Sequence, residues 1–280
     1  MVINLNQPLM DSFRVLKLIS NKQDIDLNEI NFITPFLITP LSAYLKENKK
    51  IKLIKHNNND INNYLNYIKF PIGISTNDFN SLNKIKTYFP LFCFSEKDIT
   101  SGDIIEKFTK CLEQFVVPLE NKSLVYQPLD ELIDNIKEHA FSNNCFIHAQ
   151  IYQKKYLALS IVDIGKTIPQ NYLDAEFILE NDLEAFQYIL SGISSTKDPN
   201  RGFGLNSNVN IITSALNGAI TIVSGKAILS KIGKEKPTIY DLNEYKLNFD
   251  GTFINILFEI PSEKLEIDIY KYLGKKKLYF

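Results

Sequence analysis

Four groups of residues in this chain have types and spacings that can do chemistry. In "DELIDNIKEHA", Glu131 and Asn135 stand four apart, which on a helix puts them on one face about a turn from each other. A carboxylate beside an amide can orient a water and hold a hydrated magnesium ion whose other ligands are phosphate oxygens. The same helix face, with Asp134 and Glu138, is equally that of a solvated surface. In "LALSIVDIGKTIPQ" a strand runs out into Asp163, Ile164 and Gly165. An acceptor carboxylate beside a glycine that leaves room for a flat ring suits the exocyclic amine of adenine, and an ordinary strand-to-turn ending reads the same way. In "SSTKDPNRGFGLNSNVNII", Gly202 and Gly204 lead into an apolar-periodic segment. Glycines there permit close backbone approach, and a helix beginning near Leu205 aims its first N–H groups at an anion; a plain helix entry is the alternative. Gly251 and Thr252 open the last strand. The run "RGFGLNSNV" is neither a P-loop, which needs Lys and Ser or Thr after its last glycine, nor a dinucleotide fingerprint, whose third glycine is Ser207 here.

The elements that must position these groups follow from hydrophobic periodicity. Leu129, Leu132, Ile133 and Ile136 lie at helical spacing in "PLDELIDNIKEHAFS". Strands are expected at "CFIHAQIYQ", "YLALSIVDIG", "AITIVSG" and "GTFINILFEIP", where β-branched residues are dense, with helical, polar sequence from about Ala175 to Ile193. The segment "SKIGKEKPTIYDLNEYKLN", between the last two of these strands, reads as an extended hairpin loop. Upstream, "DIDLNEINFI", "PFLITPLSAYLKEN", "KIKLIKH" and "NDINNYLNYIKF" alternate strand and helix patterns, with a strand near "TYFPLFCFS" to close a small α/β unit. Turn and cap residues in "SEKDITSGD" precede a further helix at "IIEKFTKCLEQFVV". The boundary is therefore placed at 98/99, giving domains 1–98 and 99–280.

Composition narrows the function classes. With 45% hydrophobic and 22% charged residues the chain has the mix of a globular protein. A formal net charge of -1 leaves no global positive field to draw in nucleic acid or an acidic membrane. The basic tail "KYLGKKKLYF" reads as a solvated terminus. Cys93, Cys111 and Cys145 are widely spaced and, with His56, His139 and His148, complete no metal-ligand set. No apolar run approaches the roughly 20 residues that span a bilayer, and no leader pattern opens the chain, so a cytoplasmic location and no membrane contact are expected.

Taken in order, these motifs resemble the GHKL ATPases, the superfamily of gyrase, the large heat-shock chaperone, histidine kinases and MutL. "DELIDNIKEHA" looks like its N-box, "VDIGKTIP" its first glycine box, "STKDPNRGFGL" its lid and second glycine box, and "GTFINILFEIP" its closing strand, over roughly residues 120–262. The resemblance implies an α/β fold with a C-terminal Bergerat-type sandwich, a mixed sheet with helices on one face. It implies ATP and Mg²⁺ as ligands, with Asp163 accepting the adenine amine and Gly165 making space for the ring. Asn135 would ligate Mg²⁺ and Glu131 would polarise the attacking water or acceptor hydroxyl. Backbone amides of Gly202, Gly204 and Leu205 would cradle phosphate, with the Thr252 hydroxyl nearby. The lid would run from about Ser191 to Arg201, making Lys197 and Arg201 phosphate contacts or plain solvated charges. Thr167 stands where the family's first box has its second glycine.

"NIKEHA" is closer to the N-box of anti-sigma-factor serine kinases than to that of sensor histidine kinases, and none of the three histidines lies in a phosphate-accepting dimerisation helix, so histidine autophosphorylation is not expected. The N-terminal unit resembles a STAS domain at "DLNEINFITPFLITPLSAYL", with Pro35 and Phe36 where the phosphoacceptor serine would fall and Thr34 and Thr39 close by. Two functions follow from the resemblances: an Mg-dependent ATPase or Ser/Thr-kinase-like signalling regulator, or a non-catalytic, nucleotide-gated interaction switch. Both imply a protein partner, and the GHKL resemblance adds homodimerisation as an arrangement the family commonly uses.

Overall fold

The computed structural model describes residues 3–21, 23–30, 32–75, 78, 88–95, 122–136, 144–195, 204–261 and 271–272. The chain begins with helix α1 (Gln7–Ser20). A two-residue strand β1 (Ile25–Asp26) and a 3-10 turn lead into α2 (Pro35–Glu47). Strand β2 (Leu53–Ile54) pairs parallel with β1, and α3 (Asn59–Tyr67) follows. Next are β3 (Phe92–Phe94), α4 (Lys122–Asn135), the hairpin β4 (Cys145–Tyr152) and β5 (Tyr156–Asp163), then α5 (Ile168–Asp174), α6 (Asp182–Leu190) and α7 (Gly204–Asn210). A π turn then leads to β6 (Ala219–Gly225), β7 (Ala227–Ile232), β8 (Thr238–Asp241) and β9 (Phe249–Glu259).

Strands β3 to β9 form one seven-stranded sheet in the order β3-β4-β5-β9-β6-β7-β8, and every pairing in it is antiparallel. The last strand thus enters between β5 and β6. Its two neighbours are apart in sequence because the chain between them, from α5 to the π turn, crosses one face. On that face Leu129, Leu132 and Ile133 of α4, with Phe186 and Ile189 of α6 and Val209 of α7, meet Ile147, Leu159, Ile161, Ile222 and Ile256 of the sheet.

The expected mixed sheet covered on one face is corrected in both respects. Helices α1 and α2 pack against β4, β5, β6 and β9 from the other side, where Val15, Leu16, Leu37 and Leu41 meet Phe146, Val162, Val223 and Phe253. A sheet buried on both faces has near-continuous apolar strands rather than alternating ones, which accounts for runs such as "YLALSIV". Helix α1, not among the expected elements, buries Pro8, Asp11, Ser12, Val15, Leu16 and Ile19, one stripe at helical spacing interrupted by two polar residues.

Two further expectations are corrected. Strand β3, expected to close the N-terminal unit, instead pairs with β4, Phe92 opposite Ile147. The stretch Ser230 to Asn248 is not an extended loop: β7 pairs with β8, and the Asp241 side chain then accepts from the Asn243 N–H at 2.8 Å to start a 3-10 turn whose Leu242 is fully buried. The expected helix at 104–117, the cap segment at 96–103 and the tail beyond 272 lie outside the described residues.

The second face carries a row of buried polar residues across five adjoining strands. His148 faces Ser160, Ser160 faces Asn255, Asn255 faces Thr221 and Thr221 faces Ser230. Asn255 Nδ2 donates to Ser12 Oγ of α1 at 3.0 Å, and His148 Nε2 lies 3.2 Å from the Tyr64 hydroxyl of α3. Burial pushes the His148 imidazole down to about 3, against about 6.5 for an unfolded histidine. Between those values the unfolded chain binds a proton that the folded chain refuses, so stability present above pH 6.5 is lost as pH falls, by up to about 1.4 kcal/mol per unit. His148→Gln is expected to remove this slope, read as the change in urea midpoint between pH 7.5 and 5.0; an unchanged slope would show that His148 does not set the acid response.

Candidate functional site

Asp163 ends β5 and is 5% exposed, with its side chain on the face covered by α4 to α7. Its Oδ1 accepts the Gly165 N–H at 3.0 Å, fixing the carboxyl over the turn that follows. Burial raises the Asp163 carboxyl to about 7, and the Gly165 bond offsets part of that rise. Such a group sits outside its ordinary range because the fold has desolvated it, a pattern concentrated at functional sites.

Thr252 of β9, expected beside phosphate, is directly opposite Asp163, the residue expected to meet the base, and Ser224 of β6 is directly opposite Thr252. Ser224 is fully buried. Its Oγ lies 2.9 Å from Thr252 Oγ1, donates to the Gly251 carbonyl at 2.9 Å and accepts the Ile168 N–H at 2.8 Å. One hydroxyl therefore ties β6, β9 and the start of α5 together beneath Asp163. Sequence reading missed Ser224; its only local signal is a polar residue ending an apolar run, which tertiary register alone connects to Thr252.

Gly251 is required by close approach. Its φ is +144°, and a Cβ there would overlap the Asp163 carbonyl and stand 3.0 Å from Ile164 Cα. The chain entering β9 thus passes directly against the Asp163 turn, which no larger residue allows. Thr167, where the resemblance leads one to expect a second glycine, is the N-cap of α5. It has φ -73°, and its hydroxyl accepts the Gln170 N–H at 3.2 Å. A threonine serves there because the turn needs a cap and no left-handed backbone.

Across the same face, Glu131 Oε1 accepts the Gly204 N–H at 2.9 Å. Gly204 has φ +70° and begins α7. The structure therefore brings together two expected site elements 73 residues apart in sequence, but in an order the sequence did not suggest: the amide assigned to phosphate by the resemblance donates to the assigned base. The Leu205 side chain packs against the core. Lys197, Arg201 and Gly202 lie outside the described residues.

Asn135, at the end of α4, has a buried Nδ2 with no hydrogen-bond partner among the described residues, as does the buried Oδ1 of Asp130 one turn earlier. Asp130 is pushed up by burial and by neighbouring Asp134. On α7, Asn208 Nδ2 is also buried and unpaired among the described residues. Buried amides without partners are uncommon in folded proteins and mark places where a further group completes the bonding. Among the described residues no three His, Cys, Asp or Glu side chains gather as a metal cage, and none of the helices is long and apolar enough to cross a membrane. The orphaned atom of Asn135 is an N–H donor, which an acceptor such as a phosphate oxygen would complete; Mg²⁺, which takes few protein ligands, would be held by its Oδ1 instead.

Comparison with protein-family models and with curated proteins finds no match.

Proposed function

We propose that this chain binds ATP with Mg²⁺ in the manner of the GHKL class, acting as an ATPase or Ser/Thr-kinase-like regulator that works on a protein partner. The observation that carries the reading is the convergence of separated motifs: Asp163 faces Thr252 across β5 and β9, while on the same side of the sheet Glu131 meets Gly204. Asp163, held by the Gly165 N–H, would accept the adenine amine, and its burial excludes the water that would compete for that bond. Asn135 would hold Mg²⁺, which when bound supplies charge neutralisation between phosphate oxygens. Glu131 would orient and deprotonate the attacking water or hydroxyl. In this reading α1 and α2, which cover the second face of the sheet, carry the docking surface that the STAS resemblance implies.

A second reading, a nucleotide-gated switch without turnover, is favoured by one observation: the Glu131 carboxylate is already engaged by the backbone of the segment after the lid, so nucleotide binding there would move a structural contact. Calorimetric titration of Mg-ATP into the whole chain, followed by phosphate release on the same sample, separates them. Saturable binding with slow release is the expected result. Binding without release selects the switch, and the absence of saturable binding refutes the ATP reading altogether.

A further inference from the structure

The hydroxyl network beneath Asp163 leaves no freedom in where its protons point. Ser224 Oγ has three neighbours at hydrogen-bond distance: the Ile168 amide at 2.8 Å, the Gly251 carbonyl at 2.9 Å and the Thr252 hydroxyl at 2.9 Å. An amide only donates and a carbonyl only accepts, while serine owns a single proton. That proton goes to the Gly251 oxygen, since otherwise two lone-pair-bearing oxygens would face each other in a fully buried site. Thr252 must then donate its own proton to Ser224. What Thr252 has left to offer on its other sides is lone pairs alone.

Thr252 stands directly opposite Asp163, and above pH 7, where that carboxyl is ionised and where the test below is run, a carboxylate likewise only accepts. We infer that Ser224 is a positioning residue which, acting through Thr252, makes the site beside Asp163 a surface of acceptors that selects a 6-amino purine nucleotide over a 6-oxo one. This rests on the ATP reading above and adds to it a determinant of base choice. A 6-amino group brings two N–H donors to such a surface. A 6-oxo group brings lone pairs against lone pairs at position 6, with its only neighbouring donor displaced to N1, and sites built to pair a polar group discriminate strongly against partners that leave it unpaired. Purine riboside triphosphate, with only hydrogen at position 6, neither donates nor repels there and should fall between the two.

Removing the Ser224 hydroxyl frees the Thr252 proton to rotate and donate to a 6-oxo group. The test is competition of ATP, purine riboside triphosphate and ITP, each with Mg²⁺, against a fluorescent ATP analogue on the full chain. Wild type is expected to rank ATP, then the purine compound, then ITP, with ATP over ITP by about 100-fold. In Ser224→Ala the ATP-to-ITP ratio is expected to fall by about tenfold or more, because ITP gains a donor. A purely structural serine would weaken all three nucleotides in proportion, and that outcome overturns the inference. Should Ser224→Ala fail to fold, Thr252→Ser against Thr252→Val decides: the ratio is retained with the hydroxyl and lost without it, and equal ratios overturn the inference. Wild type that binds none of the three refutes the ATP reading itself, whereas ATP binding with an unaltered ratio in the variants refutes only the role of Ser224.

Discussion

Asparagine in place of Asp163 is expected to weaken ATP binding by about 100-fold and at the same time make the protein harder to unfold. The carboxyl is raised to about 7 by burial, whereas an unfolded aspartate titrates near 3.9. From about pH 4 to 7 the folded chain holds a proton on Asp163 that the unfolded chain has released, so the Asp163 contribution to stability declines as pH rises through that window, opposite in sign to that of His148. The shift of about 3 units corresponds to at most about 4 kcal/mol spent above pH 7 on keeping an ionised carboxyl out of water. An asparagine keeps an oxygen for the Gly165 N–H and carries no charge. With part of the gain offset by its new N–H donors, a net of about 1–2 kcal/mol is expected at pH 8, raising Tm by several degrees, with the two proteins converging near pH 4.

The amide presents donors where the adenine amine also presents donors, so ATP affinity should fall by about 100-fold. Thermal unfolding across pH 4 to 8, with calorimetry at pH 8, reads both effects. A variant that is less stable at pH 8 would mean the carboxylate serves the fold rather than a ligand, and retained ATP affinity would remove Asp163 from the site.

Glu131→Gln is expected to cut phosphate release by about 10²–10⁴-fold while Mg-ATP affinity stays within a few-fold. General-base catalysis is worth that range, and glutamine lacks the basic carboxylate while keeping a side-chain oxygen for the Gly204 N–H. Glu131→Ala also removes that acceptor, so it reports the base and the contact to α7 together. The comparison separates chemistry from architecture: slow release in both variants with α7 undisturbed in the glutamine form supports the base role. Release equal to wild type in either variant would rule Glu131 out as the base.

The local elements around the site were legible because their cause is local. Leu129, Leu132, Ile133 and Ile136 repeat at helical spacing, and all four are buried in the core where α4 meets the sheet. The β-branched runs at β4, β5, β6 and β9 form strands within a residue or two of their expected ends. Less was legible where a residue's role is set by a distant partner. Ser224 looks like the polar end of an apolar run until Thr252, 28 residues on, is seen beside it. The pairing of "TIYD" with β7 was hidden by the short polar turn that precedes it.

The sequence by itself determined that the candidate residues lie on a helix, at the end of a strand and at the mouth of a final strand, since residue type and period act over a few neighbours. Tertiary structure alone decided that β9 enters between β5 and β6, which sets Asp163, Thr252 and Ser224 in one row. It also decided that α1 and α2 cover the second face. The physical reason is that strand order and layer packing satisfy hydrogen bonds and bury apolar surface between segments from 28 residues apart, Ser224 and Thr252, to 243, Ser12 and Asn255, and no periodicity within one segment records its partner.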